Sequence, residues 1–495
     1  MELKNKNLSL YSRTLLLRNK NLSPRSRTLL LRNKKVAILG LRVENLPLAH
    51  FLIGRKANVA VCDKDEQLRN KKEVKRLNGV KEWRLGPNYL KDLSDFEIVF
   101  RTPGLSLLTP EIIQAKKQGV IISSATKLFF DLSPAKIIGV TGTKGKGTCA
   151  SLIKAMLKLK IKNEKLKNRI WFGGNIGNSA ISLLEKIKQD DWVVLELSSF
   201  QLQDLEKSPH IAVVLNIFPD HLDYHKSKRE YVQSKEHIVF YQKKSDYSVI
   251  NADYFTSYRF AALTKGKVLW FSSRKSVDEG CFMKWKTDKG KGQKIREIIL
   301  RTKEKDYFIC KNTQIKLIGE HNLENICAAI VVANLVGIDI NDIKKIVTNF
   351  TGLEHRIEFI KRINQVNYYN DSYATTPEST IAAIKSFSAP VVLICGGLSK
   401  NGDYQKLINT VSQSTVKSII LIGQEANIIF KKLFKAKNLN VINLGFSKMI
   451  NIVKTAQKEA EGGNIVLFSP GCASFDMFKN ASDRGKQFKK AVLSL

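Results

Sequence analysis

Residues 140–148 read V-T-G-T-K-G-K-G-T and follow the apolar run Ile137-Ile138-Gly139. A strand running into a glycine-rich turn makes a cradle for nucleotide phosphates. Gly142 and Gly145 let backbone N–H groups converge, Lys146 can reach β- and γ-phosphates, and a helix expected to start near Thr148 adds its dipole. The loop is shortened against the full phosphate-loop pattern, which wants glycine where Val140 stands and Ser or Thr where Gly147 stands. Further on, residues 191–196 (D-W-V-V-L-E) form an apolar strand that presents Glu196 at its carboxyl end, the edge where open α/β sheets bind ligands. Glu196 is placed there as a hard oxygen ligand for Mg²⁺. The next strand, residues 211–216, ends in a carboxylate–imidazole pair, Asp220-His221.

Those residues need a scaffold, and the pattern of apolar runs supplies one. Residues 36–39 form a short buried strand ending at Gly40. A helical stretch follows to about Arg55, and a second strand, residues 58–62, is closed by Asp63. This strand–helix–strand unit has the form of a mononucleotide-binding half. Later strands are expected at 98–100, running into Thr102-Pro103-Gly104, and at 120–122. The Gly-x-Gly-x-x-Gly test fails, because the segment is Gly40-Leu41-Arg42-Val43-Glu44-Asn45. Arg42 stands where the second glycine admits a pyrophosphate, which disfavours nicotinamide chemistry. A second α/β block begins near Ser133. Residues 284–294 read as an exposed basic hairpin or loop, and Gly319-Glu320-His321-Asn322 caps an apolar helix at 323–335. A third block begins near Gly352, with strands at 391–394, 418–422 and 465–468 that end in Gly396-Gly397, Gly423 and Ser469-Pro470-Gly471. Alternating strands and helices predict parallel α/β sheets with right-handed crossovers.

The chain has 495 residues, 43% of them apolar, which suits three domains with substantial cores. No apolar run reaches the ~18 residues needed to span a membrane, and the basic N-terminus lacks a cleavage signature. The net charge of +37 is spread along the chain and accompanied by frequent Asn and Ile. Compositional bias explains it better than a nucleic-acid interface, since no zinc-finger spacing or aromatic-and-basic RNA motif accompanies it. Residues 7–20 (NLSLYSRTLLLRNK) nearly repeat as residues 21–34 (NLSPRSRTLLLRNK). Two short copies do not make a solenoid, so residues 1–34 are expected to be a duplicated basic extension outside the fold. The seven cysteines are scattered without a C-x-x-C pair and read as free thiols of a reducing compartment, hence the cytoplasm.

Over residues 35–495 the chain resembles the Mur ligase family, which joins a carboxylate to an amine at the expense of ATP. The motifs are residues 140–148, Gly173-Gly174-Asn175-Ile176-Gly177, Leu195-Glu196-Leu197-Ser198-Ser199-Phe200-Gln201, Asp220-His221-Leu222-Asp223 and Tyr231-Val232-Gln233-Ser234-Lys235. Gly319-Glu320-His321-Asn322, His355-Arg356, Asn370-Asp371-Ser372-Tyr373-Ala374-Thr375, residues 469–476 (S-P-G-C-A-S-F-D) and Phe478-Lys479-Asn480 complete the set. The resemblance implies an α/β fold of three domains: a Rossmann-like N-terminal domain for the UDP-linked substrate (35–131), a central P-loop-type ATPase domain (132–350), and a Rossmann-like C-terminal domain for amino acid and nucleotide (351–495).

It also implies roles. Gly142, Thr143, Gly145, Lys146 and Thr148 would hold ATP phosphates, with Asn322, Asn325, Arg356 and Asp371 on the nucleotide. Glu196 and His221 would hold Mg²⁺ together with Thr148 and Lys235, the last matching the family's carbamylated lysine. Lys146, Glu196, His221 and Lys235 would form the catalytic set. Gly40, Thr102 and Gly104 would bind the UDP group, Asn175 and Gln201 would lie near the reacting carboxylate, and Lys400 and Ser474 would hold the amine substrate. The closing motifs point to UDP-N-acetylmuramoyl-L-alanine (UDP-MurNAc-L-Ala) and D-glutamate as substrates, with no nucleic acid or membrane partner and a monomeric enzyme of peptidoglycan precursor synthesis.

The chain departs from the family pattern at Gly147, where Ser or Thr is usual, and at Lys144, where Asn is common. Arg42 and Asn45 replace glycines, Tyr373 stands where some members carry Lys, and Ala481 where an aromatic residue is frequent. Three alternatives stay open. One is folate polyglutamation by similar ATP chemistry. Another is a sister activity adding L-alanine or a diamino acid. The third is a catalytically impaired relative that binds polyanions.

Overall fold

The computed structural model describes residues 30–163, 168–175, 177–221, 224–287, 294–398, 404–433 and 439–495. They form three sheets. The first is all parallel, in the order β3-β2-β1-β4-β5, from β1 (Lys35–Leu39), β2 (Asn58–Asp63), β3 (Glu82–Leu85), β4 (Ile98–Arg101) and β5 (Ile121–Ser124). Its order reverses between β1 and β4, which makes the ends of those two strands the natural ligand crevice. Helix α1 (Asn45–Gly54) follows β1, and α2 (Ala125–Leu132) follows β5.

The second sheet has nine strands in the order β14-β13-β12-β11-β10-β9-β6-β8-β7. Its parallel part is β6 (Lys136–Thr141), β7 (Ile170–Gly174), β8 (Trp192–Glu196), β9 (Ile211–Val214), β10 (Tyr247–Asn251), β11 (Lys267–Ser272) and β12 (Gly280–Thr287). The pattern then turns antiparallel through β13 (Lys294–Arg301) and β14 (Asp306–Lys311). Of the basic stretch at 284–294, residues 284–287 lie on β12 and 294 on β13, which pair antiparallel, and 288–293 lie outside the described residues. Helices α3 (Lys146–Asn163), α4 (Lys228–Phe240) and α5 (His321–Leu335) belong to this block. Strands β6, β8 and β9 are almost wholly buried because helices cover parallel sheets on both faces, which is why they read as unbroken apolar runs.

The third sheet runs β15-β16-β20-β17-β18-β19: β15 (Glu358–Ile363) pairs antiparallel with β16 (Val366–Asn370), and β17 (Val391–Gly396), β18 (Val416–Ile422), β19 (Asn440–Gly445) and β20 (Ile465–Phe468) continue it in parallel. The C-terminal helix α6 (Ala481–Leu493) packs on this sheet through Phe488 and Val492. By density of contact the chain forms two units. One comprises residues up to Thr313 with Glu324–Ile346, the other Gln314–Leu323 with Val347–Leu495. The first unit carries two sheets, joined by one apolar core that includes Val36, Leu52, Leu128, Leu184, Val193 and Val214.

The fold reaches back before Lys35. Leu31, in the second copy of the N-terminal repeat, is fully buried in that core. The Asn33 N–H donates to the Lys56 carbonyl at 2.9 Å, and Lys34 pairs with Glu97 at 2.6 Å. The end of the extension is therefore part of the first domain, because an apolar side chain flanked by bonding groups gains more from the core than from water.

Candidate active site

The phosphate loop leaves β6 at Thr141, whose hydroxyl donates to the Leu197 carbonyl at 2.9 Å. Asn216, just beyond β9, fixes the loop from below: its carbonyl accepts from the Thr143 N–H (2.7 Å) and its side-chain oxygen from the Lys144 N–H (3.0 Å). The Thr143 hydroxyl lies 2.9 Å from the Tyr231 hydroxyl and 3.0 Å from the Phe218 carbonyl. Gly145 takes φ +86°, a left-handed conformation, and its missing Cβ is the space filled by the Asn325 side chain. Helix α3 starts at Lys146, two residues before the expected Thr148, so Lys146 and Gly147 form its first turn. The Lys146 ammonium donates to the carbonyls of Gly142 (3.0 Å) and Thr143 (3.1 Å).

Lys235, on α4, is 1% exposed, and its amine contacts the same Gly142 carbonyl (3.1 Å) and the Thr141 hydroxyl (3.3 Å). Burial, reinforced by the nearby Lys146 charge, pulls its pKa well below the ordinary lysine range, while Asp220 and Glu196 act weakly the other way. Two amines thus face one carbonyl, that of Lys146 half-buried and that of Lys235 enclosed. Glu196 is buried at the end of β8, with one carboxylate oxygen accepting from Asn175 Nδ2 at 3.0 Å. The Asn175 N–H donates to the Glu196 carbonyl at 2.9 Å, so the Gly173-Gly174-Asn175 segment is bound to the β8 end. His221 is exposed, takes φ +53°, and lies 5.0 Å from the Phe200 ring, with Asp220 at 3.9 Å. Thr148 is half-buried in the first helical turn. Among the described residues no three His, Cys, Asp or Glu side chains cluster as a metal cage. The chemistry of the donor set nevertheless suits a hard cation: a carboxylate at Glu196, a carboxylate–imidazole pair at 220–221, and a hydroxyl at Thr148.

At the first sheet, Gly40 (φ +77°) ends β1, and a Cβ there would come within 2.9 Å of Thr102 Cγ2. Gly40 and Thr102 therefore sit side by side at the switch point, and Gly104 is exposed beyond them. The Asn45 side chain donates to the Leu39 (3.2 Å) and Gly40 (2.9 Å) carbonyls, and Asp63 accepts from the Leu41 N–H (2.8 Å). Arg42 points outward and is exposed, so it does not fill the turn. Gln201 is buried in a capping box with Ser198, and its amide donates to the Glu44 carboxylate across the seam between the two sheets.

Two residues here escaped the motif reading. Arg101, buried at the end of β4, donates to Asp204 (3.2 Å) and to the carbonyls of Phe200 (3.0 Å), Pro103 (3.1 Å) and Leu105 (3.1 Å). It ties the Thr102–Gly104 turn to the segment after Gln201. An arginine closing a run of apolar strand residues was the available signal. His225 is fully buried, with Nε2 3.0 Å from the Ser199 hydroxyl and its ring parallel to Phe200 at 5.5 Å. Burial pulls its pKa down. Its only mark in the sequence was a second His four residues after His221.

Asn325, on α5, is buried beside Gly145 in the first unit. In the second unit, Asn322 Nδ2 donates to the Ile318 carbonyl at 2.6 Å. Arg356 is exposed, its guanidinium 5.7 Å from the Tyr373 ring centroid. Asp371 accepts from the Ser469 hydroxyl (2.7 Å) and the Ile357 N–H (3.2 Å), and burial pushes its carboxyl up to about 7. Ser474 is buried at the end of the loop after β20. Lys400 lies outside the described residues.

Family models match in chain order: the Mur ligase MurD-like N-terminal domain over residues 34–124, the Mur ligase middle domain over 140–333, and the Mur ligase glutamate ligase domain over 355–472. The chain is 40% identical over 467 residues to the UDP-N-acetylmuramoylalanine--D-glutamate ligase of Acetivibrio thermocellus, covering 93% of this chain and 96% of that one. It is 38% identical over 468 residues to the enzyme of the same name from Clostridium tetani, covering 93% and 97%. Among solved structures it is similar in fold to the UDP-N-acetylmuramate-alanine ligase MurC of Thermotoga maritima (TM-score 0.58, 16% identity, 93% and 99% of the chains covered). The MurF ligase of the same organism, solved with ADP, matches with TM-score 0.54 at 17% identity, over 94% of this chain and 96% of that one. On these matches the chain belongs to the Mur ligase family.

Proposed function

We propose that this chain is the ATP-dependent ligase that adds D-glutamate to UDP-MurNAc-L-Ala in peptidoglycan precursor synthesis. The carrying observation is the pair of amines, Lys146 and Lys235, on the Gly142 carbonyl beside the Glu196 strand end. A ground-state carboxylate is a poor acceptor for an amine. Its oxygen attacks the γ-phosphorus of ATP, ADP leaves, and an acyl phosphate results. The amino nitrogen of D-glutamate then attacks the acyl carbon, phosphate departs with the C–O bond, and the amine proton is released. In this reading Lys146 leaves the loop carbonyls for the migrating phosphoryl group, and the converging N–H groups of residues 142–148 hold the phosphates.

Mg²⁺, when bound, would screen phosphate charge. Glu196, His221, Thr148 and modified Lys235 would be its protein partners. Burial that lowers the Lys235 pKa favours the free amine, which is a nucleophile for CO₂: its nitrogen bonds to carbon, a proton is lost, and the amine becomes a carbamate anion. Asn175 and Gln201 would orient the substrate carboxyl group, and Gly40, Thr102 and Gly104 would receive the UDP moiety. Asn322, Asn325, Arg356 and Asp371 would serve the nucleotide, and Lys400 and Ser474 the D-glutamate. The reading keeps three functional domains (35–131, extended back to take in Leu31, then 132–350 and 351–495), a single chain as the working unit and the cytoplasm as its place. Consistent with the last, no helix among the described residues is long and apolar enough to cross a membrane, and all seven cysteines are free and buried.

The test is ADP and phosphate release from ATP, with and without UDP-MurNAc-L-Ala and D-glutamate, at fixed bicarbonate. Release that needs both substrates is the expected result. Equal release with L-alanine or a diamino acid in place of D-glutamate would assign a sister activity, and none with any amine would remove the ligase reading.

A further inference from the structure

His221 lacks the brace that a metal-holding histidine ordinarily has. Such a ligand usually gives its second ring nitrogen to a carboxylate or carbonyl, which fixes the orientation of the ring. Among the described residues the His221 imidazole makes no hydrogen bond: Asp220 Oδ2 stands 3.9 Å from Nε2, too far for one. The His221 backbone, by contrast, is held from both sides. Its N–H donates to Asp220 Oδ1 at 3.0 Å, and its carbonyl accepts from the N–H groups of Tyr224 (3.1 Å) and His225 (3.0 Å). Its φ of +53° is uncommon for a residue with a Cβ, and these bonds hold it there.

What the His221 ring does meet is Phe200, with 5.0 Å between centroids and 54° between planes. Phe200 is held on two further sides. The fully buried His225 ring lies parallel to it at 5.5 Å, and the Tyr224 ring meets it edge-on at 4.4 Å. Both flanking rings are anchored. His225 Nε2 is 3.0 Å from the hydroxyl of Ser199, the residue before Phe200. The Tyr224 hydroxyl lies within hydrogen-bond distance of the Pro103 (3.0 Å) and Leu105 (3.2 Å) carbonyls. Phe200 itself stands in the short helix Ser199–Leu202, which opens on the Ser198–Gln201 capping box. His225, Phe200 and His221 therefore form a row of rings that is fixed at its buried end. We propose that His225 and Phe200 are positioning residues for His221: the row sets the imidazole for the divalent cation in place of the hydrogen bond it lacks. Ring-on-ring contact has a preferred geometry and uses neither imidazole nitrogen, so both stay open to ligands.

The inference rests on the reading of His221 as a metal ligand, and a spectroscopic probe keeps the two apart. Mn²⁺ stands in for Mg²⁺ on the full chain, with a non-hydrolysable ATP analogue and UDP-MurNAc-L-Ala, and electron spin echo modulation reads nitrogen bound to the metal. Wild type is expected to show that nitrogen signal and His221→Ala to lose it. No signal in wild type, or the same signal in both, counts against the reading and this inference together. With the signal assigned to His221, Phe200→Leu decides. It keeps apolar volume at a half-buried position and is expected to lose most of the nitrogen signal. The Mg²⁺ concentration for half-maximal ADP release should rise roughly 10-fold, while the KM for D-glutamate stays within about 2-fold. His225→Leu should behave alike, and Phe200→Leu remains the deciding variant should it not fold. His225→Phe keeps a ring against Phe200 without the bond to Ser199, and is expected to keep the nitrogen signal and a Mg²⁺ requirement within about 2-fold of wild type. A nitrogen signal unchanged in Phe200→Leu, or lost equally in His225→Phe and His225→Leu, would overturn the proposal.

Discussion

Lys235 shows most plainly how one side chain can cost stability and supply chemistry. Its native pKa lies well below its ordinary 10.5, so between the two values the unfolded chain binds more protons than the folded one. Stability from this group therefore rises with pH across that window and is lowest on the acid side. Lys235→Met should show a Tm at least equal to wild type at pH 7, an advantage that shrinks toward pH 10, together with loss of ATP turnover. A scanning-fluorimetry series over pH with parallel ADP release checks both. Asp371 behaves with the opposite sign. Burial raises its carboxyl from 3.8 to about 7, so its contribution is complete below the lower value and is lost as pH climbs through about 7. Asp371→Asn should flatten the fall in Tm between pH 4 and pH 7, and an unchanged slope would refute the assignment.

At the scale of elements, the seam between the first two sheets depends on a few polar anchors laid over a shared apolar core. Arg101 and Asp204 form a buried ion pair with side-chain exposures of 0% and 7%. Removing only the cation strands the carboxylate, which costs about 3–5 kcal/mol where a buried pair is broken. Arg101→Met should lower the urea midpoint accordingly and raise the KM for the UDP-linked substrate, because the Thr102–Gly104 turn hangs on the same guanidinium. The double variant Arg101→Met with Asp204→Leu should recover much of the stability and little of the substrate affinity. The start of α3 carries a different lesson. Helix α3 begins at Lys146 because Gly145 already completes the turn in a left-handed conformation, so the helix needs no capping side chain at Thr148.

At the scale of the whole molecule, all five tryptophans (Trp83, Trp171, Trp192, Trp270 and Trp285) fall in the first compact unit. Tryptophan fluorescence therefore follows only the unit that carries the phosphate loop, while far-UV circular dichroism follows both. In guanidinium chloride the two probes should give non-coincident transitions, with ATP analogues shifting the fluorescence curve toward higher denaturant. Superimposable curves would mean that the two units unfold as one.

The sequence alone determined the α/β class, the phosphate loop, the acidic end of β8 and the glycine turns at strand ends, because each is a local pattern: an apolar run, then a residue type that the backbone requires. Family motifs extended that to an expectation of which residues hold nucleotide and substrate. Only the tertiary structure decided that Leu31 belongs to the core, that Lys146 and Lys235 meet on one carbonyl, and that Arg101 and His225 are enclosed. Those residues lie far apart along the chain, and burial, which sets their charge state and cost, is a property of neighbours brought together by folding rather than of any stretch of sequence.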